Sequence, residues 1–231
     1  SNIEKDWVWI ERYNTEGVEM ENASDRISLF AVQGPKATDT LQKITDITLD
    51  EMKFYTFQHG RIAGIDDVII SATGYTGAGG FELYVANDQA EKLWNAIFEA
   101  GEDHNIKPIG LGARDTLRLE MGYCLYGNDI NDETCPIEAG FGWVTKFNKE
   151  FTNSVFLQDR KVSGGENKLI GLVMVDRGIP RAGYELFNEQ DEKIGRVTSG
   201  SQSPSLQKGI GLGYVEKEYA QPGNAIYVGV R

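Results

Sequence analysis

Hydrophobic and polar positions alternate along this chain with two different periods, and the change of period divides it into elements. Residues 1–13 (SNIEKDWVWIERY) set Ile3, Trp7 and Ile10 or Glu11 at helical spacing. The spacing predicts a helix met in mid-pattern, with no start signal beyond Ser1 and Asn2, and hence a piece of a longer protein whose upstream part is missing. A polar linker follows, then a strand over 27–32 and Gly34-Pro35, with the proline suited to a first helical position. Ala37, Leu41 and Ile44 form the stripe of a short helix, and three strand-like pieces are expected at 53–58, 60–65 and 67–72. A glycine-dense turn then leads into an alternating strand over 81–86.

Asn87-Asp88 offers an N-cap for a helix through Ala90, Leu93, Trp94 and Ile97, closed by Gly101. Residues 106–109 read as a short strand. Ala113, Leu117 and Met121 recur every four residues and predict one face of a second helix, stopped by Gly122, with Arg114, Asp115 and Arg118 on other faces. Residues 148–168 are polar and carry Gly164-Gly165, the composition of a domain boundary. Beyond it, strands are expected at 169–175, 183–187, 194–199, 210–215 and 225–230, parted by Gly-, Pro- and Asn-bearing turns. Five short strands in this span predict a small barrel or sandwich.

Composition removes several classes of function. The 231 residues carry a net charge of −12, which argues against a nucleic-acid partner, because phosphate contacts need clustered Lys and Arg. Nor is there a basic amphipathic stretch to suggest a membrane surface, an apolar run long enough to span one, or a signal peptide at the start. Cys124 and Cys135, without a paired motif, read as reduced cytosolic thiols, so a cytoplasmic protein is expected, or a mitochondrial one in a eukaryote. With His59 and His104 as the only histidines, no zinc-type ligand set can be assembled, and no metal is expected.

The candidate chemistry centres on residues 73–84. Gly74, Gly77, Gly79 and Gly80 make a run costly in backbone entropy. Its spacing fits neither phosphate-binding motif, and a strand rather than a helix N-terminus follows, so a tight hairpin turn is the plain reading. Glu82, between Phe81 and Leu83, turns to the face opposite them. It is either a solvated strand residue or a carboxylate accepting two parallel N–H bonds from a flat heterocycle. Arg114 either pairs with Asp115 on the helix surface or meets Glu82 in one pocket, and Arg118 repeats its charge four residues on. Trp143 fits a core position or a stacking platform, and Cys124 a small buried apolar residue.

Five segments in order carry a resemblance that covers nearly the whole chain: SNIEKD at the start, LFAVQGPKA (29–37), TGYTGAGGFEL (73–83), GLGARDTLRLEMGYCLYGNDI (110–130) and GRVTSGSQSPSLQKGIGLGYV (195–215). Together they resemble the T-protein family, the aminomethyltransferases of the glycine cleavage system. The resemblance implies an α+β architecture: the tail of an upstream domain over 1–25, a mixed sheet-and-helix folate-binding domain over 26–150, and a small antiparallel β-barrel over 166–231. It implies transfer of a methylene group from the aminomethyl-lipoyl arm of the H-protein to tetrahydrofolate, with release of ammonia.

By position, Glu82 resembles the carboxylate that grips the pterin's amino and ring N–H edge, Arg114 the second folate-contacting residue, and Trp143 a tryptophan near the same cavity. The family's catalytic aspartate lies upstream of the SNIEKD match, and a tail completing the folate site lies past Arg231. No catalytic residue is therefore expected within these residues, which are expected to be inactive alone. Relatives commonly carry an acidic residue in the glycine turn where this chain reads Gly-Ala-Gly-Gly, a mild loop variation. A folate-binding, non-transferase paralogue in iron–sulfur assembly is the first alternative, but its Lys-Gly-Cys-Tyr-x-Gly-Gln-Glu pattern fits poorly with Gly-Tyr-Cys-Leu-Tyr-Gly-Asn-Asp at 122–129. The folate domain of a sarcosine or dimethylglycine oxidoreductase would need a flavin domain upstream. In a pure interaction module the glycine turn would be only a hairpin.

Overall fold

In the computed structural model, residues 2–229 are described and fall into two compact units, one of residues 2–74 with Ala78–Pro108, the other of Tyr75–Gly77 with residues 109–229. The architecture is α+β, with one antiparallel sheet in each unit.

In the first unit, helix α1 (Ile3–Tyr13) forms as the spacing predicts, and none of its residues is buried. Strand β1 (Ile27–Gln33), helix α2 (Ala37–Gln42), strands β2 (Phe57–Ile62), β3 (Ile65–Ser71) and β4 (Gly80–Ala86), and helix α3 (Ala90–Ala100) follow. The sheet order is β1-β4-β3-β2. One face closes on the helices: Ile62, Val68, Ile70, Phe81, Leu83 and Val85 pack with Leu41 of α2 and with Leu93 and Ile97 of α3. Burying each such large aliphatic side chain contributes roughly 1.5–3 kcal/mol, so this face sets the register and sends every alternate residue outward.

Several local expectations are corrected. Two strands replace the three pieces over 53–72, because Ala63 and Gly64, both left-handed (φ 52° and 69°), turn the chain inside the expected middle piece. Residues 53–56 form a turn, with the Tyr55 amide donating to the Ala72 carbonyl at 3.0 Å. The Asn87 side chain does not cap α3. Its amide group donates to the Asp25 carbonyl and accepts from the Ser28 hydroxyl, both at 2.8 Å, fastening the entry of β1 instead. Residues 106–109 form no strand.

The second unit holds helices α4 (Leu111–Glu120) and α5 (Ser154–Ser163), then β5 (Asn167–Val173), β6 (Glu185–Phe187), β7 (Lys193–Gln202), β8 (Gly209–Glu216) and β9 (Tyr227–Gly229). All five strands fall where turn chemistry separates apolar runs, in the antiparallel order β5-β8-β7-β6-β9. Leu186, Ile194, Val197 and Val215 form its core. Helix α5 occupies the stretch that reads as a linker, and only Leu157 on it is buried. Helix α4 forms where the apolar stripe predicts it, but that stripe is not its buried side: Met121 is half-exposed, and the buried residues are Arg118 and Leu119, the latter packed with Ile210 and Leu212 of β8. Among the described residues, no helix is long and apolar enough to cross a membrane.

Candidate functional site

Glu82 lies at the centre of β4, with Phe81 and Leu83 buried on either side and its own side chain on the opposite, partly open face. Ala31 of β1 and Ser71 of β3 are its cross-strand neighbours. Its Oε2 accepts the hydroxyl of Thr73, which lies 3.0 Å from the Ser71 hydroxyl. Tyr84 shares this face, and burial chiefly, with the Glu82 charge second, pushes its phenol above the usual range. The carboxylate is thus held on a rigid strand by one hydroxyl.

The glycine segment is an eight-residue excursion between β3 and β4 (72–79) rather than a tight turn. Gln33 pins both of its ends, its Nε2 donating to the carbonyls of Thr73 (3.1 Å) and Phe81 (3.2 Å). Gly80 has φ 132°, and a Cβ there would stand 2.3 Å from the Val32 carbonyl oxygen. Only glycine therefore lets β4 start against β1.

Tyr75, Thr76 and Gly77 at the middle of this excursion belong to the second unit, as do Arg114 and Trp143, whereas Glu82 belongs to the first. The Tyr75 ring stacks on Tyr123 (centroids 5.7 Å apart, 25° between planes), and the Arg114 guanidinium sits 4.6 Å from its centroid. The Tyr75 hydroxyl donates to the Cys124 carbonyl, and burial is the main reason its pKa is raised. Exposed in the first turn of α4, Arg114 offers planar donors to a carbonyl or carboxylate. Asp115 is not its partner; that carboxylate binds Arg118. Trp143 is 68% exposed, so it is a surface indole and not a core residue.

One turn after Arg114, Arg118 is 1% exposed, and all three nitrogens of its guanidinium donate hydrogen bonds. Nε donates to Asp115 (2.8 Å), Nη1 to Asp129 (2.7 Å) and to the Tyr123 carbonyl (3.0 Å), and Nη2 to Ser199 (3.0 Å), while Nη2 also lies 2.7 Å from the Asp115 carboxylate in an ion pair. Burial alone would lower its pKa; the hydrogen bonds of Asp115 and Asp129 outweigh that and raise it. Asp129, fully buried, also accepts the Thr198 hydroxyl and the Leu125 amide (2.8 Å). Charge pattern alone marked Arg118 only as a repeat of Arg114. No local signal marked Tyr75, Tyr123 or Asp129.

Cys124 and Cys135 are free thiols. Cys124 is partly buried, which pushes its thiol up to about 11. Among the described residues, no group of His, Cys, Asp and Glu could hold a metal ion.

Residues 1–149 match the family described as the GCVT N-terminal domain, and residues 167–231 the glycine cleavage T-protein C-terminal barrel domain. An aminomethyltransferase of Bacteroides thetaiotaomicron is 60% identical over all of this chain, and one of Flavobacterium psychrophilum 56%. The chain spans 64% of the length of each. Among solved structures, the glycine cleavage system aminomethyltransferase T from Bartonella henselae superposes with a TM-score of 0.87 at 30% identity, over 100% of this chain and 62% of that one.

Proposed function

Because the chain belongs to the glycine cleavage T-protein family, we propose that it forms the folate-binding and barrel portions of an aminomethyltransferase. The reaction moves a methylene group from the aminomethyl-lipoyl arm of a carrier protein, the H-protein, onto two nitrogens of tetrahydrofolate. The carbon leaves the lipoyl sulfur and its amine departs as ammonia, leaving dihydrolipoyl carrier and methylene-tetrahydrofolate with no net redox change. Glu82 takes the pterin's amino and ring N–H edge, Arg114 a carbonyl or carboxylate of the folate, and the exposed Trp143 offers an apolar platform. These 231 residues contribute binding surfaces, and the catalytic aspartate comes from outside them.

One observation carries the reading. Glu82 is fixed on a strand by Thr73 through Oε2, while its other oxygen takes no hydrogen bond among the described residues. A carboxylate so held can accept a flat two-donor edge at little further ordering cost. The test is calorimetric titration of the chain with a reduced folate, against the Glu82→Ala variant. Binding lost in the variant supports the reading, and an affinity unchanged by the substitution overturns the assignment.

A further inference from the structure

Three consecutive residues after α4 are held by one buried ion pair. Arg118 fixes the Tyr123 carbonyl (3.0 Å) and Asp129 fixes the Leu125 amide (2.8 Å), while the two are joined at 2.7 Å. Between them lies Cys124, whose carbonyl receives the Tyr75 hydroxyl, and Tyr123 supplies the ring on which Tyr75 stacks. Tyr75 in turn carries the Arg114 guanidinium on its face, 4.6 Å from its centroid.

The pair also reaches into the sheet. Thr198 and Ser199 of β7 bond Asp129 and Arg118, and the Tyr214 hydroxyl of β8 donates to the Asp129 carbonyl at 3.0 Å. Glu120, at the end of α4, accepts from the hydroxyls of Ser203 and Ser205. Sealing two charges in an interior is rarely the most stable use of the space, since hydrophobic replacements of similar volume are often neutral or better. What the pair offers beyond stability is geometry: a planar fork with fixed directions, and a carboxylate that meets it while ordering a backbone segment.

We propose that Arg118 and Asp129 are positioning residues that set the orientation of Arg114 through the 123–125 backbone and the Tyr75 ring. The proposal rests on Arg114 as a folate contact only for its effect on affinity; the orientation itself exists without ligand. Arg118→Lys keeps the charge and loses the fork, so it separates direction from electrostatics.

The primary readout is the side-chain NMR spectrum of Arg114 in the 231-residue chain, free of folate. Stacked on Tyr75, its guanidinium and Cδ protons are shifted upfield by the ring current, and Tyr75→Leu provides the unstacked reference. In Arg118→Lys, with folding verified by a cooperative melt, the Arg114 resonances are expected to move most of the way to that reference. Affinity for a reduced folate is expected to fall about two- to fivefold, the loss expected of the unstacked reference. Asp129→Asn, which keeps shape and drops charge, is measured alongside and covers the case in which Arg118→Lys does not fold. Unmoved Arg114 resonances in a folded variant of either kind overturn the proposal. If instead the resonances move but Arg114→Gln binds folate as well as the parent, the positioning stands and the folate role of Arg114 fails.

Discussion

The Arg114 guanidinium stands over the Tyr75 ring, 4.6 Å from its centroid, so the first turn of α4 is tied to a residue of the glycine segment. A cation–aromatic contact at an open site contributes about 0.5–1 kcal/mol. Tyr75→Leu is therefore expected to weaken reduced-folate binding about two- to fivefold. Tyr75→Phe retains the ring but loses the hydrogen bond to the Cys124 carbonyl. That variant is expected to lose about 1 kcal/mol of stability while binding stays close to the parent. Thermal melts and titrations on the two variants separate the effects, and equal binding losses would contradict them.

Glu82→Gln is a sharper test than truncation, because the amide keeps the shape and the Thr73 contact. Losing the charge of a bidentate acceptor costs about 1.5–3 kcal/mol, or roughly 10- to 100-fold in folate affinity. The half-buried side chain contributes little to the core, so the melting temperature is expected to stay where it is. Affinity within a factor of about two of the parent would leave Glu82 a solvated strand residue.

The chain alone, mixed with aminomethyl-lipoyl carrier and tetrahydrofolate, is expected to form no methylene-tetrahydrofolate, since the resemblance places the family's catalytic aspartate outside residues 1–231. Product formation followed by absorbance or by label transfer decides this directly, and turnover by these residues alone would refute it.

Much of this arrangement could be read from local pattern. Alternation at Phe81, Glu82 and Leu83 put the carboxylate on the outer face, and the later strands stood out between their turns, because each signal spans only a few residues. The burial of Arg118 could not be read that way. Its partners lie 11 and 81 positions downstream, at Asp129 and Ser199, and four-residue spacing pointed to Ala113, Leu117 and Met121 instead. Helix α5 was hidden for a similar reason: with Leu157 its one buried residue, it shows little periodicity. The turn at Ala63-Gly64 escaped because alanine is seldom left-handed.

The two glycines at the head of β4 predict losses of different size for the same substitution. A Cβ on Gly79 would meet nothing within 4 Å, so Gly79→Ala bears only the strain of φ 76°, about 1–2 kcal/mol. A Cβ on Gly80 would press on the Val32 oxygen at 2.3 Å and the Gln33 Cα at 2.7 Å, with φ 132° besides. Strain and backbone collision together are expected to cost about 3–5 kcal/mol. Denaturant unfolding of both variants checks the ranking; equal losses would mean that β4 does not approach β1 as described.

Alkaline pH offers a test of the interior of the second unit. Burial pushes the Cys124 thiol up to about 11 and the Tyr214 phenol up to about 12. In an unfolded chain these groups ionise near about 8.5 and about 10. Both are therefore neutral in the folded protein over a range where the unfolded chain has lost the proton. Their contribution to stability is complete below the unfolded values and disappears as pH rises through the folded ones. The melting temperature is expected to decline as pH rises from about 8.5 towards 12. Cys124→Ala should flatten the early part of the decline, and Tyr214→Phe the part above about 10. Thermal melts at half-unit steps of pH provide the check. A parent curve unchanged in slope by either substitution would show that neither group is buried in the way the structure places it.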